Sequence, residues 1–508
     1  MNRNKLIVYN SLILYVRLGI VSICGLMTTR FALKALGVHD FGLFSLVGGI
    51  ISFVSIINTI MLSASNRFLA VSIATQIRNE INKVFNVTLV IHVFIALITA
   101  LLAIPIGHWY INNFVHYNGN LVNVLNVYDI SIIGAVVSFV GVPYNGLLLA
   151  KEKFLVFCST DVLSSIIRVV CSYLLIYTFN DKLLVYAFIV SFTSAYPTLI
   201  FYLYCKRCLS DCISFRIVKD ISLYKEIMSF SVWVGLGAIV TIFKTQGTAL
   251  ILNTFFNTIL NAALGIANTV NSVLLTFSNN VHNSLYPQIV KSYSSDDLER
   301  SLRLVIVSSK TTYFLMLSIS LPFLLFPNAI FSMWLSEVPK YVIDFTILLI
   351  VDGLVTSLNA GVPDLVMATG RIKTYQLWLN ILVLLSVVVG YLVLWLGAPP
   401  QALFISYILF SVVVFFVRQI VLIKIVKINI SQLIVKSYIP CIMVTVIALM
   451  VLLLRPFLNT LIFVVLFVLI YLSLIIYVGL DIKERYYLFK TIQHELFERF
   501  FKKTDRVL

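Results

Sequence analysis

Long apolar runs, each closed by a short polar break, recur along the whole chain. Fourteen of them are long enough to cross a membrane as helices, which takes about 20 mostly apolar residues. Their limits are 8–36, 42–74, 84–107, 125–150, 154–179, 183–204, 229–255, 258–290, 303–326, 341–369, 374–397, 402–426, 438–454 and 460–480. The second, eighth and tenth exceed what a bilayer needs, so each is expected to be tilted, bent or extended into water. The run from Leu6 to Leu36 is too long for a signal peptide and lacks a small-residue cleavage site, so it reads as the first span. Composition agrees: 60% of the 508 residues are hydrophobic and 11% charged. The predicted fold class is an all-α polytopic membrane protein with about 14 transmembrane helices.

The polar breaks set the expected organisation. A long link, 205–228, separates two six-helix lobes, 1–204 and 229–427, expected around a central cavity. Two additional spans follow over 428–480, then a basic tail over 481–508. In that tail Ile482, Tyr486, Phe489, Leu496 and Phe500 share a helical face among basic residues, as in a helix lying on an anionic leaflet. Gly37 to Phe44 and Phe256 to Ala263 occupy matching places in the two lobes, a topological repeat with negligible identity. Paired lobes are a common transporter plan.

A net charge of +16 invites a nucleic-acid partner, but the placement of the charge argues for topology control instead. With the N-terminus inside, only Lys182, Lys340 and Arg455 fall in outer loops, whereas Lys151/Lys153, Lys206/Arg207 and the tail lie inside. That bias is the positive-inside pattern, and it puts both termini in the cytosol. Cys205, Cys208 and Cys212 lie close together, but no histidine is near and that end is cytosolic and reducing, so no metal and no cofactor are expected.

Eight basic residues fall inside spans. Arg30, Lys34, Arg67, Lys310 and Arg418 lie near span ends, where snorkelling accounts for them. Arg17, Arg168 and Lys244 are deep, and a charge there costs about 2.5–3.5 kcal/mol on insertion scales, so each should face a wet cavity or a partner. Helical spacing groups Gly237, Thr241, Gly247 and Thr248 with Lys244. It groups Asp161, Ser164, Ser165 and Ser172 with Arg168, and Asn10, Cys24 and Thr28 with Arg17. An ion pair that merely fixes helix packing is the competing reading, with Asp161 seven residues from Arg168. Polar stripes continue through Ser52, Ser55, Thr59, Ser63 and Asn66, through Asn261, Asn268, Ser272, Asn279 and Asn283, and through Asp352, Thr356 and Asn359 before Pro363. Asp129 and Asp364 also lie within or near spans. Such stripes either glue helices together or line a hydrophilic chamber. The candidate substrate contacts are Lys244, Arg168, Arg17, Asn268, Asn279 and Asn58, and the candidate ion-coupling residues are Asp161 and Asp352.

No glycine-rich phosphate loop with its Lys-Ser/Thr and no HExxH is present, which excludes a built-in ATPase and that class of metalloprotease. The outer loops are short, which argues against a membrane polymerase or glycosyltransferase. What remains is a secondary carrier for an anionic or polar substrate, with a site near the midplane.

The stretch "LILNTFFNTILNAALGIANTVNSVLLTFSNNVHNSLYPQIVKSYS", Leu250 to Ser294, resembles the seventh-to-eighth span signature of bacterial polysaccharide (O-antigen type) flippases of the multidrug/oligosaccharidyl-lipid/polysaccharide exporter superfamily. "NSLILYVRLGI", "TTRFALKALGVHDFGLFSLVGGI" and "SNRFLA" resemble the family's first two spans. Asn257, where the family pattern has glycine, and His39 are departures. The resemblance covers most of the chain. It implies a transporter, not an enzyme, that moves undecaprenyl-pyrophosphate-linked oligosaccharide from the inner to the outer leaflet of the bacterial cytoplasmic membrane by alternating access. It implies lipid-linked oligosaccharide, membrane lipids, and polysaccharide polymerase and chain-length proteins as partners. A drug/cation antiporter of the same superfamily is the alternative, and a cationic cavity speaks against it.

Overall fold

A computed structural model of the protein describes residues 3–74, 77–115, 121–151, 153–177, 180–256, 258–369, 372–426, 430–457, 459–482 and 484–486. Among these residues every regular element is helical. In chain order they are α1 (Arg3–Val54), α2 (Ile56–Ala74), α3 (Arg78–Phe114), α4 (Leu121–Val140), α5 (Val142–Ala150), α6 (Phe154–Leu174), α7 (Lys182–Cys208), α8 (Ser210–Ile213), α9 (Ile221–Phe255) and α10 (Thr258–Ser294). Then come α11 (Leu298–Leu325), α12 (Pro327–Trp334), α13 (Val342–Ser357), α14 (Val362–Ala368), α15 (Ile372–Trp395), α16 (Gln401–Val426), α17 (Ser431–Leu433), α18 (Ile439–Val451) and α19 (Thr460–Leu474). Most of the tail lies outside the described residues, as does Asn257.

Among the described residues eleven helices are long and apolar enough to cross a membrane, or twelve if α13 and α14, bent by 43°, form one span. The fourteen spans read from hydropathy therefore exceed the helices that pass by length and composition. The difference has two sources. The expected second span opens within α1 and is interrupted at Ser55, before α2. The expected seventh coincides with α9, some of whose side chains lie outside the described set. Gly37, with φ 76° and ψ 174°, breaks the helical run of α1 at the expected end of the first span. Only glycine adopts that backbone without strain. Of the alternatives for the long tenth span the bend is found, at the α13–α14 break, which ends at Gly361 with Pro363 following in the first turn of α14. Proline lacks the N–H that would continue the ladder. The expected link 205–228 is partly helical, since α7 runs to Cys208 and α9 starts at Ile221.

Two compact units emerge. The first comprises 1–273, 326–349 and 380–410, and the second 274–325, 350–379 and 411–508. In the first, one core gathers Leu43, Val47, Ile111, Val127, Tyr128 and Ala187. Close approach there depends on glycine: a Cβ on Gly107 would meet the Tyr128 ring at 2.1 Å. The Tyr128 hydroxyl uses that space to donate to the Ala103 carbonyl at 2.7 Å. In the second unit α18 and α19 dock on α11. The Tyr313 and Thr445 hydroxyls lie 2.7 Å apart, the Ser318 and Tyr471 hydroxyls 2.9 Å apart, and Arg455 donates to the Leu325 carbonyl at 3.0 Å.

Candidate functional site

The deep cations of the first unit meet three different environments. Arg17 on α1 pairs with Asp161 on α6, its Nε donating to Oδ2 at 2.6 Å. Its guanidinium also lies 4.6 Å from the Phe157 ring centroid. Arg17 is 28% and Asp161 31% exposed, so the pair is only partly enclosed by the protein. Arg168, two turns further along α6, turns instead to α7. It donates to the Thr193 hydroxyl at 2.8 Å and the Ser194 hydroxyl at 3.3 Å. Ser164 on the same face donates to the Thr193 carbonyl at 2.5 Å. The carboxylate expected near Arg168 is thus engaged by Arg17.

Lys244 on α9 lies with its ammonium 4.9 Å from the Tyr407 ring centroid on α16. The Tyr407 hydroxyl meets Thr248 at 2.8 Å, and Thr248 Oγ1 donates to the Lys244 carbonyl at 2.6 Å. One helix face therefore presents a lysine and a threonine to one tyrosine, a cation–π contact reinforced by a hydroxyl pair. Asn58 meets His92 Nδ1 at 3.0 Å, and the other nitrogen of that fully buried imidazole meets Ser65 at 2.9 Å. Asn58 thereby joins α2 to α3. Asn268 is half-buried on α10. The side chains of Asn10, Thr59, Ser63 and Asn283 lie outside the described set.

In the second unit Asp352 accepts from Ser411 at 2.5 Å. Nearby a cavity of about 370 Å³ opens among α10, α11, α13, α14 and α16, lined by Asn279, His282, Tyr286, Thr312, Asp364 and Arg418 among others. Asp364 is fully buried, and His282 Nδ1 bonds its Oδ2 at 3.1 Å. Asn279 is the one candidate contact that this cavity collects. Hydropathy alone assigns His282, Asp364 and Arg418 no role here. The signal that could have found His282 is its spacing of three from Asn279 and four from Tyr286, which puts all three on one face of α10.

Of the span-end basic residues, Arg418 is half-buried and lines this cavity, and one departs from the snorkelling expectation. Lys310 is 2% exposed, donates to the Gly479 carbonyl at 3.1 Å and pairs with Glu484. An acid 174 residues away turns an apparent span-end charge into a buried tie.

The model of the family described as "Polysaccharide biosynthesis protein" matches residues 7–293. No curated protein is a significant sequence match to the chain. Among solved structures the chain is similar to the lipid II flippase MurJ in an inward closed conformation, at 14% identity and a TM-score of 0.67, covering 92% of this chain and 98% of that one. It is similar to an inward-facing multidrug resistance MATE family transporter of the MOP superfamily, at 13% identity and a TM-score of 0.67, covering 82% and 99%. A third likeness is to the MATE multidrug transporter DinF-BH, at 15% identity, a TM-score of 0.61, and coverage of 83% and 96%. At such identities the likeness is one of fold, a multi-pass helical transporter fold.

Proposed function

The chain belongs to the polysaccharide biosynthesis protein family, and from that premise we propose that it flips an undecaprenyl-pyrophosphate-linked oligosaccharide from the inner to the outer leaflet of the bacterial cytoplasmic membrane. The observation that carries the reading is Arg168. Its guanidinium is held by two neutral hydroxyls, so the group is oriented without being neutralised. A pyrophosphate needs cations of that kind, which bind it and release it. Lys244, stabilised by an aromatic face, is the second contact, and Arg17, already paired with Asp161, is the third. Asn268, Asn279 and Asn58 supply amides toward sugar hydroxyls.

Two six-helix lobes that open alternately would carry the load, with Asp161 or Asp352 coupling an ion. With the inside negative, each negative charge moved fully outward gains about 2.3 kcal/mol per 100 mV. The termini lie in the cytosol, and a polysaccharide polymerase and chain-length proteins act on the product outside. The likeness to MATE transporters favours a second reading, a drug antiporter, but cations on the proposed contact faces would repel cationic drugs.

The test is Lys244→Ala and Arg168→Ala in a strain that depends on this chain for surface polysaccharide. Loss of surface polysaccharide at normal protein level is the expected result, with lipid-linked repeat units held on the inner leaflet. Full export by both variants would overturn the roles. Repeat units gathering on the outer leaflet in a strain lacking the chain would point to a polymerase instead.

A further inference from the structure

The cavity of the second unit carries an unmet set of polar atoms. Asp364 Oδ1, Thr312 Oγ1 and Arg418 Nε are buried and have no hydrogen-bond partner among the described residues. Asp364 Oδ1 lies 3.0 Å from His282 Nδ1, but the imidazole directs its bond to Oδ2. Buried polar atoms of this kind call for a partner. The three differ in character: a charged acceptor, a charged donor, and a hydroxyl that does both. A bare cation would be repelled by Arg418 and leave Nε unmet. An inorganic anion would be repelled by Asp364. A ligand whose groups each donate and accept suits all three once their side chains turn toward it, and that is the property of a polyol. The His282 and Tyr286 rings, with centroids 5.5 Å apart and planes at 34°, supply an apolar platform at the same mouth. The volume of about 370 Å³ corresponds to about a dozen waters at ~30 Å³ each, ample for a sugar ring.

We propose that this cavity is a saccharide subsite that takes one neutral, hydroxyl-rich pyranose ring between Asp364, Thr312 and Arg418. The inference rests on the flippase reading and names where that substrate's sugar is recognised. Asn279 adds an amide at the rim.

The experiment uses the purified full chain in nanodiscs and free methyl glycosides of glucose, galactose and N-acetylglucosamine as probes. Saturation-transfer NMR reads binding, with glycerol as the small-polyol control. At least one glycoside should exceed glycerol. Thr312→Val and Asp364→Asn should each weaken it about tenfold, equivalent to about 1.4 kcal/mol. If Asp364→Asn does not fold, Thr312→Val, which keeps the shape and removes the hydroxyl, carries the test. No glycoside above glycerol would mean a cavity of water only and would overturn the proposal. Binding unchanged in the folded variants would also overturn it, since the sugar then sits elsewhere. Export that persists while no glycoside binds sinks this inference alone. Glycoside binding in a chain whose loss leaves export intact sinks the flippase reading alone.

Discussion

Arg17 meets a carboxylate, Arg168 two hydroxyls and Lys310 a carboxylate in a dry place, and these differences predict different outcomes for similar substitutions. In a wet cavity, as proposed for these cations, the partly enclosed Arg17–Asp161 pair should couple by about 0.2–1 kcal/mol. A double-mutant cycle of Arg17→Ala and Asp161→Ala, read by thermal unfolding, checks this, and a coupling near zero would remove the pair as a packing device. Lys310→Met should cost more, toward the ~3–5 kcal/mol of a broken buried pair. The value should fall at the low end, because Glu484 stays 26% exposed and keeps some hydration. Adding Glu484→Gln should recover part of the loss in the same assay; no recovery would mean that packing, not charge, set the cost. Sequence separated the deep cations from the shallow ones by counting turns. Partner identity was beyond it, because Arg17 and Asp161 lie 144 positions apart and Lys310 and Glu484 lie 174 apart.

Between elements, contact distance is governed by glycine. A Cβ on Gly42 would sit 2.0 Å from the Thr258 carbonyl oxygen, a backbone atom that no rotamer change can move. One on Gly265 would sit 2.4 Å from Ser45 Oγ, which can rotate away. Gly42→Ala should therefore destabilise by about 1–3 kcal/mol or more, and Gly265→Ala by clearly less. Unfolding temperatures of the two variants decide it, and equal losses would mean that the α1–α10 crossing adjusts freely. A second junction joins α3 to the segment before α9. Asn86, fully buried, donates to the carbonyls of Asn82 and Ser214 and accepts from the Arg216 N–H. Asn86→Ala strands those groups, at about 1–3 kcal/mol, and should raise hydrogen exchange across 214–220. The hydrogen bond from Lys83 holds the Asp220 carboxyl well below the usual carboxylate range. A depressed carboxyl stabilises the fold fully above its unfolded pKa, and that contribution fades as pH falls toward the folded value. Protection of 214–220 should hold from neutral pH to about 5 and weaken below about 4, where the unfolded carboxyl protonates. Helical runs, a break after residue 36 and a tenth span too long to cross straight were legible from hydropathy. The interruption at Ser55 was not, since a serine in an apolar run is also compatible with a continuous helix.

Across the whole chain, the family match stops at residue 293 while the likeness of fold to the lipid II flippase reaches 92% of it. The fold class could be read from apolar length alone, because the bilayer imposes that length whatever the side chains do. The second-unit cavity could not, since its lining comes from five helices that meet only in space. A strain carrying Asn279→Ala should keep the protein's abundance and lose part of its export, and unchanged export would separate that amide from transport. The tie at Lys310 has a practical side. Gly479 and Glu484, its two acceptors, belong to the last few described positions of the chain. A reporter or affinity handle joined after residue 486 leaves the tie whole, whereas one that replaces the chain after Leu480 removes Glu484 and leaves the buried lysine its Gly479 acceptor without a counter-charge. Poor yield from the second fusion would reflect a severed anchor, and would say nothing against a cytosolic C-terminus.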